Sequence, residues 1–474
     1  MTRFVQPLVF VIFILGLTTN AELACSPETT PYDWPGFLLI GLAGALAIGL
    51  WGKKIWGTER PSLMCVGTFV VFGLWIAARG FVSPISYFAR GDLALLGVFT
   101  VVYALCATTF ASPSWRKWLI GLQLLIAVGN LGLALYQAIG DPAYHPLPWL
   151  ERENLRAGGL FEDPNHFAAS LLFPACILGG ILIGGRQKAS LRTLAALGLG
   201  LCLGGFVLAV SRSGFLAASV GIFGLAVFAF WPRRVPARNR WTAPLGVAAV
   251  ALVLVLAGLW VFQSERGSNF AQMVKSHALP KLGLWEPAWK QLVAEPIVGS
   301  GARTYEVFNR QHRPESLDAA VGEHAFAEND VLQLTSEYGW VGISLALICI
   351  GVHLSNGVQS VIRDLEKRRK SGGELAGTSL ALTMGAICAL LSMLFLALLE
   401  AHLHVPSIAV MAAMSLAILA NPTGQIRDPN EPERHPAAAG IAQSAAFIAG
   451  LLLLWNGHRY FQSDWRELRS DQFA

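Results

Sequence analysis

Apolar residues fall into long runs along this chain, and those runs limit it to one kind of fold. About thirteen of them approach the ~20 residues that a membrane-spanning helix needs. They lie at roughly 5–19, 36–51, 62–78, 92–111, 117–139, 167–184, 190–210, 213–231, 243–262, 338–355, 376–400, 404–420 and 437–455. Composition agrees: 54% of the 474 residues are apolar and 14% charged, against about 25% charged in soluble domains. The expected fold is an all-α polytopic membrane protein of about 12–13 transmembrane helices with one long external helical loop.

The first run has Arg3 ahead of it and "TTNAELAC" behind, so a cleaved signal peptide competes with a retained first helix, which is the expectation here. A lipoprotein reading through Cys25 is weaker, because Glu22 occupies a place where an apolar residue is expected.

Every second loop is basic. Lys53, Lys54 and Arg60 mark one, Arg116 and Lys117 the next, then Arg186, Lys188 and Arg192, then Arg233 to Arg240, Arg363 to Lys370, and Arg427 with Arg434. Positive residues stay on the cytoplasmic side, so the segment from about 263 to 335 is expected to face outward. The expected organisation is 1–262 as N-terminal membrane helices, 263–337 as a long periplasmic loop with a catalytic segment, 338–455 as C-terminal membrane helices and 456–474 as a polar tail.

These loops account for most of the net charge of +5 and show no aromatic interleaving, so no nucleic-acid partner is expected. Six of the seven cysteines, Cys65, Cys106, Cys176, Cys202, Cys349 and Cys388, lie inside apolar runs, where they pack as small hydrophobes rather than as a disulfide framework. No phosphate-binding glycine loop, zinc-like Cys/His spacing, GxSxG or repeat of 20–50 residues is present.

Polar groups at the external face must then carry any chemistry. In "ENLRAGGLFEDPNHFAASL" a glycine pair and Asp163-Pro164 make an irregular segment, Asn165 is a candidate N-cap for the next helix, and Arg156 sits just above the membrane. In "AVSRSGFLAAS" Arg212 interrupts two apolar runs. A charge at that depth is costly and faces a cavity, and its planar fork suits phosphate oxygens. In "LWEPAWKQLVAEP" the residues Trp285, Trp289 and Leu292 are spaced i, i+4, i+7, an amphipathic pattern suited to the bilayer surface or, the expectation here, to packing on the bundle. Further on, His324 and Glu328 would share one face if their segment were helical. Glu400, His402 and His404, at the external end of the eleventh run, could face the same cavity as Arg212, but the expectation here is a solvated helix end.

The combination "RAGGLFEDPNHFA", "SRSG", "KLGLWEPAWKQLVAEPIVGSGARTYEVF" and "AENDVLQLTSEYGWVGI" resembles the O-antigen ligase and polymerase superfamily of polytopic bacterial glycan transferases, over roughly residues 156–343. The resemblance implies a GT-C-like fold and a donor glycan on undecaprenyl diphosphate, used at the periplasmic face of the inner membrane. It implies Arg212 as the diphosphate-binding arginine, with Arg156, Lys281, Asn165, Asn329 and Arg303 toward substrate and no metal or other cofactor. Two departures matter. Lys281 stands where the family commonly has an arginine, and Glu328 opens "ENDVLQ" where the family commonly has a histidine. The base is therefore expected to be Glu328, or His324 assisted by it.

These residues suit an inverting, metal-independent transfer of a glycan to an acceptor hydroxyl, with lipid A core as the first acceptor. Joining of lipid-linked repeats by a polymerase and transfer to a protein hydroxyl are the alternatives. A polysaccharide transporter or flippase is the more distant one, since the charged candidates gather at one face and the halves show no repeat.

Overall fold

The computed structural model describes residues 2–23, 34–47, 61–147, 156–184, 188–230, 279–312, 325–370, 378–422 and 436–471. Among them there is no strand, and the elements are α1 (Thr2–Leu23), α2 (Trp34–Ala47), α3 (Leu63–Phe81), α4 (Ser86–Ala107), α5 (Pro113–Ile139), α6 (Pro164–Ile183), α7 (Ala189–Ala209), α8 (Arg212–Phe230), α9 (Leu279–Ala294), α10 (Tyr305–His312), α11 (Asp330–Lys370), α12 (Thr378–Leu396), α13 (Pro406–Ala420) and α14 (Pro436–Asp471). Nine of these described helices are long and apolar enough to cross a membrane, and α1, α2 and α13 hold shorter apolar stretches. Twelve of the expected apolar runs thus fall on helices; the run at 243–262 lies outside the described residues.

Two helices form the middle of the bundle. α6 is buried along nearly its whole length and packs on α7, α8 and α12. α13 is buried at every position and packs on α4, α6, α11 and α12. A helix apolar on all sides has no solvent face to offer, so it becomes the centre. With 15 residues, α13 rises only about 22 Å, short of the ~30 Å hydrocarbon core. The loop before it, residues 397–405, is accordingly drawn into the bundle: Ala397, Glu400, Ala401, His402 and Val405 are all buried.

At one end of the bundle Arg116, from the second of the expected basic loops, reaches the end of α13, donating from Nη2 to the Asn421 carbonyl at 2.5 Å. The other end holds the starts of α4, α6, α8, α11 and α13 together with the segment 295–304. There α11 breaks at Gly339 (φ 71°, ψ −178°), and the 296–301 strap lies along the break. Trp340 N donates to Pro296 O at 2.8 Å, Val341 N to Ile297 O at 3.2 Å and Gly301 N to Glu337 O at 2.9 Å. The approach is so close that a Cβ on Gly339 would stand 2.2 Å from the Ile297 carbonyl oxygen, and one on Gly299 2.4 Å from that of Glu337. Only glycine fits either place.

The segment at 456–471, expected as a polar tail, continues α14 as helix.

Candidate active site

At the junction of α7 and α8 the chain turns through Val210, a β-branched residue held at φ 50°, a conformation that needs support from its surroundings. Part of that support is visible. Arg156 Nη1 donates to the Val210 carbonyl at 3.4 Å while its Nη2 lies 3.8 Å from Asp163, and Ser211 Oγ accepts from Gly214 N at 3.1 Å, closing the first turn of α8. The turn sets Arg212 at the first position of α8. Ser213 Oγ, next along, donates to Glu400 Oε1 at 2.8 Å, which ties the α8 start to the buried 397–405 loop.

That loop is tied in turn to α11. Asp330 opens the helix, accepts from His404 Nδ1 at 2.7 Å and from Leu403 N at 2.9 Å, and lies 3.4 Å from His402 Nδ1. His402 is fully buried, with both ring nitrogens lacking a hydrogen-bond partner. Burial pushes its imidazole down to about 4, against the pull of the Asp330 charge, so it is neutral at ordinary pH. Glu400 and His402 are thus buried on a loop tied to the start of α8, instead of being solvated helix ends.

Beneath lies a second polar layer. Asp92 of α4 accepts from Arg303 Nε at 2.5 Å and from Tyr338 OH at 2.6 Å. Glu337 Oε1 accepts from Tyr305 N at 3.0 Å, and its buried Oε2 has no hydrogen-bond partner. The Arg303 guanidinium also stands 4.9 Å over the Phe326 ring, which in turn packs 5.0 Å from the His404 ring. The two layers are thus stacked through Arg303, Phe326 and His404. Ligand atoms of Asp92, Glu337 and His404 lie within 4.8 Å of one another. The set does not suit a metal ion, because both Asp92 oxygens already serve Arg303 and Tyr338.

Several expectations are corrected. Asn165 is not the N-cap of α6: Asp163 is, its carboxylate accepting from Asn165 N at 2.8 Å, with Pro164 in the first turn, a position suited to a residue without an N–H. Glu328 lies in an irregular stretch, 325–329, with φ 52°, and α11 starts only at Asp330. His324 lies outside the described residues. Asn329 is buried, and its side-chain oxygen accepts from Leu332 N at 2.9 Å, capping α11. Arg303, expected toward substrate, is buried and paired with Asp92. Lys281 lies in the first turn of α9, with its side chain outside the described residues. On α9, Leu284, Ala288, Gln291 and Leu292 face inward while Trp289 is 56% exposed, so Trp289 does not pack on the bundle.

Asp92, Glu337 and Tyr338 were missed in the sequence. Asp92 carried a signal, a carboxylate opening an apolar run. Glu337 and Tyr338 carried none apart from Gly339 beside them, whose need for positive φ only the folded strap makes apparent.

A family model described as O-antigen ligase matches residues 197–347, from within α7 to the apolar part of α11. No curated protein matches the chain.

Proposed function

We propose that this chain, whose residues 197–347 match a family model described as O-antigen ligase, is a glycosyltransferase that moves a glycan from undecaprenyl diphosphate to an acceptor hydroxyl at the periplasmic face of the inner membrane. The convergence of α6, α8, α11 and α13 supports this reading: their N-termini gather at one end of the bundle. Each N-terminus carries about +0.5 charge, and Arg212 stands at the first position of one of them, with Arg156 beside its turn. With amides of the α6, α8 and α11 starts taken by Asp163, Ser211 and Asn329, the guanidinium fork of Arg212 is the group that best suits a diphosphate.

In the proposed reaction the acceptor oxygen attacks the anomeric carbon as its proton passes to a base. The bond to the diphosphate breaks on the opposite side and inverts the anomeric configuration. Arg212, with Lys281 as second cation, holds the charge growing on the leaving oxygen. Lipid A core is the first acceptor proposed, which makes the protein a ligase. Replacing Arg212 by Ala and following glycan transfer in proteoliposomes tests the reading: transfer should fall at least about 10²-fold, and wild-type transfer would overturn the diphosphate role.

Glu328 is the proposed base, placed by its left-handed turn just ahead of α11. One observation favours a second reading. His404 is held through Nδ1 by a buried carboxylate, the arrangement that fixes an imidazole tautomer and strengthens the other nitrogen as a proton acceptor.

A further inference from the structure

α9 presents three kinds of surface. Leu284, Ala288 and Leu292 are buried against the protein, where the helix meets α10 and α11. Glu286 and Lys290 pair at 2.8 Å on the far side, each about half exposed. At 100° per residue, Trp289 and Val293 fall between those faces and stand out from the protein. The exposed apolar surface continues past the end of α9 into Ile297, 67% exposed, and Val298.

An apolar flank between a packed face and a charged face needs something to cover it, and the neighbouring helices indicate what. Ile297 is hydrogen-bonded through its carbonyl to Val341 N, beside Trp340, which is 54% exposed and begins the apolar stretch of α11 that continues through the outward Leu347 and Ile348. On the other side Arg79 Nη2 donates to the Gly299 carbonyl at 2.6 Å. Phe81 and Val82 stand out beside it, in line with Leu74 and Val71 farther down α3. Both α3 and α11 are spanning helices by length and composition, so the α9 flank is an extension of their lipid-facing surface rather than a separate patch. Tryptophan at its upper edge is the residue type that favours the boundary between hydrocarbon and water.

We propose that the Trp289–Val293–Ile297 flank rests in the outer leaflet of the bilayer, with Glu286 and Lys290 turned to water, so that α9 is an interfacial anchor and not a free external helix. The anchor then sets the height of the strap at 296–304, and through the strap that of Arg303 and the α11 start. This inference does not depend on which reaction the protein performs.

Single nitroxide labels at Val293→Cys, Ile297→Cys and Lys290→Cys, in the full chain with Cys25→Ser and reconstituted in liposomes, test it directly. The six described cysteines are buried and unpaired, which keeps background labelling low. Labels at 293 and 297 should collide more with oxygen than with a water-soluble nickel chelate, and the label at 290 should show the opposite. Chelate access at 293 and 297 equal to that at 290 would place the flank in water. Immobile labels reached by neither reagent would place protein over it. Either result overturns the proposal.

Discussion

Glu328 and His404 stand on two segments that Asp330 joins, and the choice of base between them can be made by exchanging single atoms. Glu328→Gln keeps the shape and removes the proton acceptor, so turnover should fall about 10²-fold with little change in donor KM. His404→Asn keeps an N–H where Nδ1 meets Asp330 but leaves no basic nitrogen, and under the Glu328 assignment it should cost less. Steady-state kinetics on the two variants decides: near wild-type turnover for Glu328→Gln with a large loss for His404→Asn moves the base to His404. His402 has a different consequence. Its pKa of about 4 lies below the ~6.5 of an unfolded histidine, so between those values the unfolded chain binds a proton that the folded protein refuses. Stability is therefore intact above about pH 6.5 and falls as pH drops toward 4, by on the order of 1 kcal/mol per unit. Thermal denaturation in detergent at several pH values should show a shallower decline for His402→Gln than for wild type; equal slopes would remove His402 as the cause. These groups were legible in the sequence as polar residues in an oily chain. Their pairings were not, because a hydrogen bond between residues 330 and 404 or 213 and 400 depends on which helix ends meet.

Helices were the legible part at the next scale, since a run of about 20 apolar residues has one way of satisfying its backbone in hydrocarbon. Their interruptions were not legible. In the segment "EHAFAENDVLQL" a shared face for His324 and Glu328 needed a helix, yet helix begins only at Asp330, where Asn329 caps the turn. The break at Gly339 is the device that lets one helix both cross the membrane and hold the site. Its φ 71° and ψ −178° belong to a region open essentially to glycine alone, costing other residues about 1–3 kcal/mol. Gly339→Ala adds a methyl that would stand 2.2 Å from the Ile297 carbonyl oxygen, so the strap must move. Denaturation temperature and glycan transfer should both fall in this variant, whereas Gly351→Ala, at an open helical position of α11, should leave both near wild type. An unchanged Gly339→Ala would mean that the strap does not need its present contact.

At the scale of the whole molecule the two ends of the bundle differ in kind. Among the described residues one carries Arg116, Lys188 and Lys367 near helix ends, the two lysines exposed. The other carries Asp92, Arg156, Arg212, Asp330 and Glu400, gathered from α4, the 140–163 connection, α8, α11 and the loop before α13. The expected sidedness rests on lysine and arginine in short loops being retained on the cytoplasmic side, while the second set is held by specific partners inside the protein. Labelling tests the proposed sidedness. Ala143 is exposed in the connection leading to Arg156, and Lys188 and Lys367 lie at the opposite end. In a Cys25→Ser background, with the six described cysteines buried, Ala143→Cys should react with a membrane-impermeant maleimide added to intact spheroplasts. Lys188→Cys and Lys367→Cys should react only after lysis. The reverse pattern would put the arginines of the site on the cytoplasmic side, where a donor presented at the periplasmic face could not reach them, and the proposed reaction would fail with the topology.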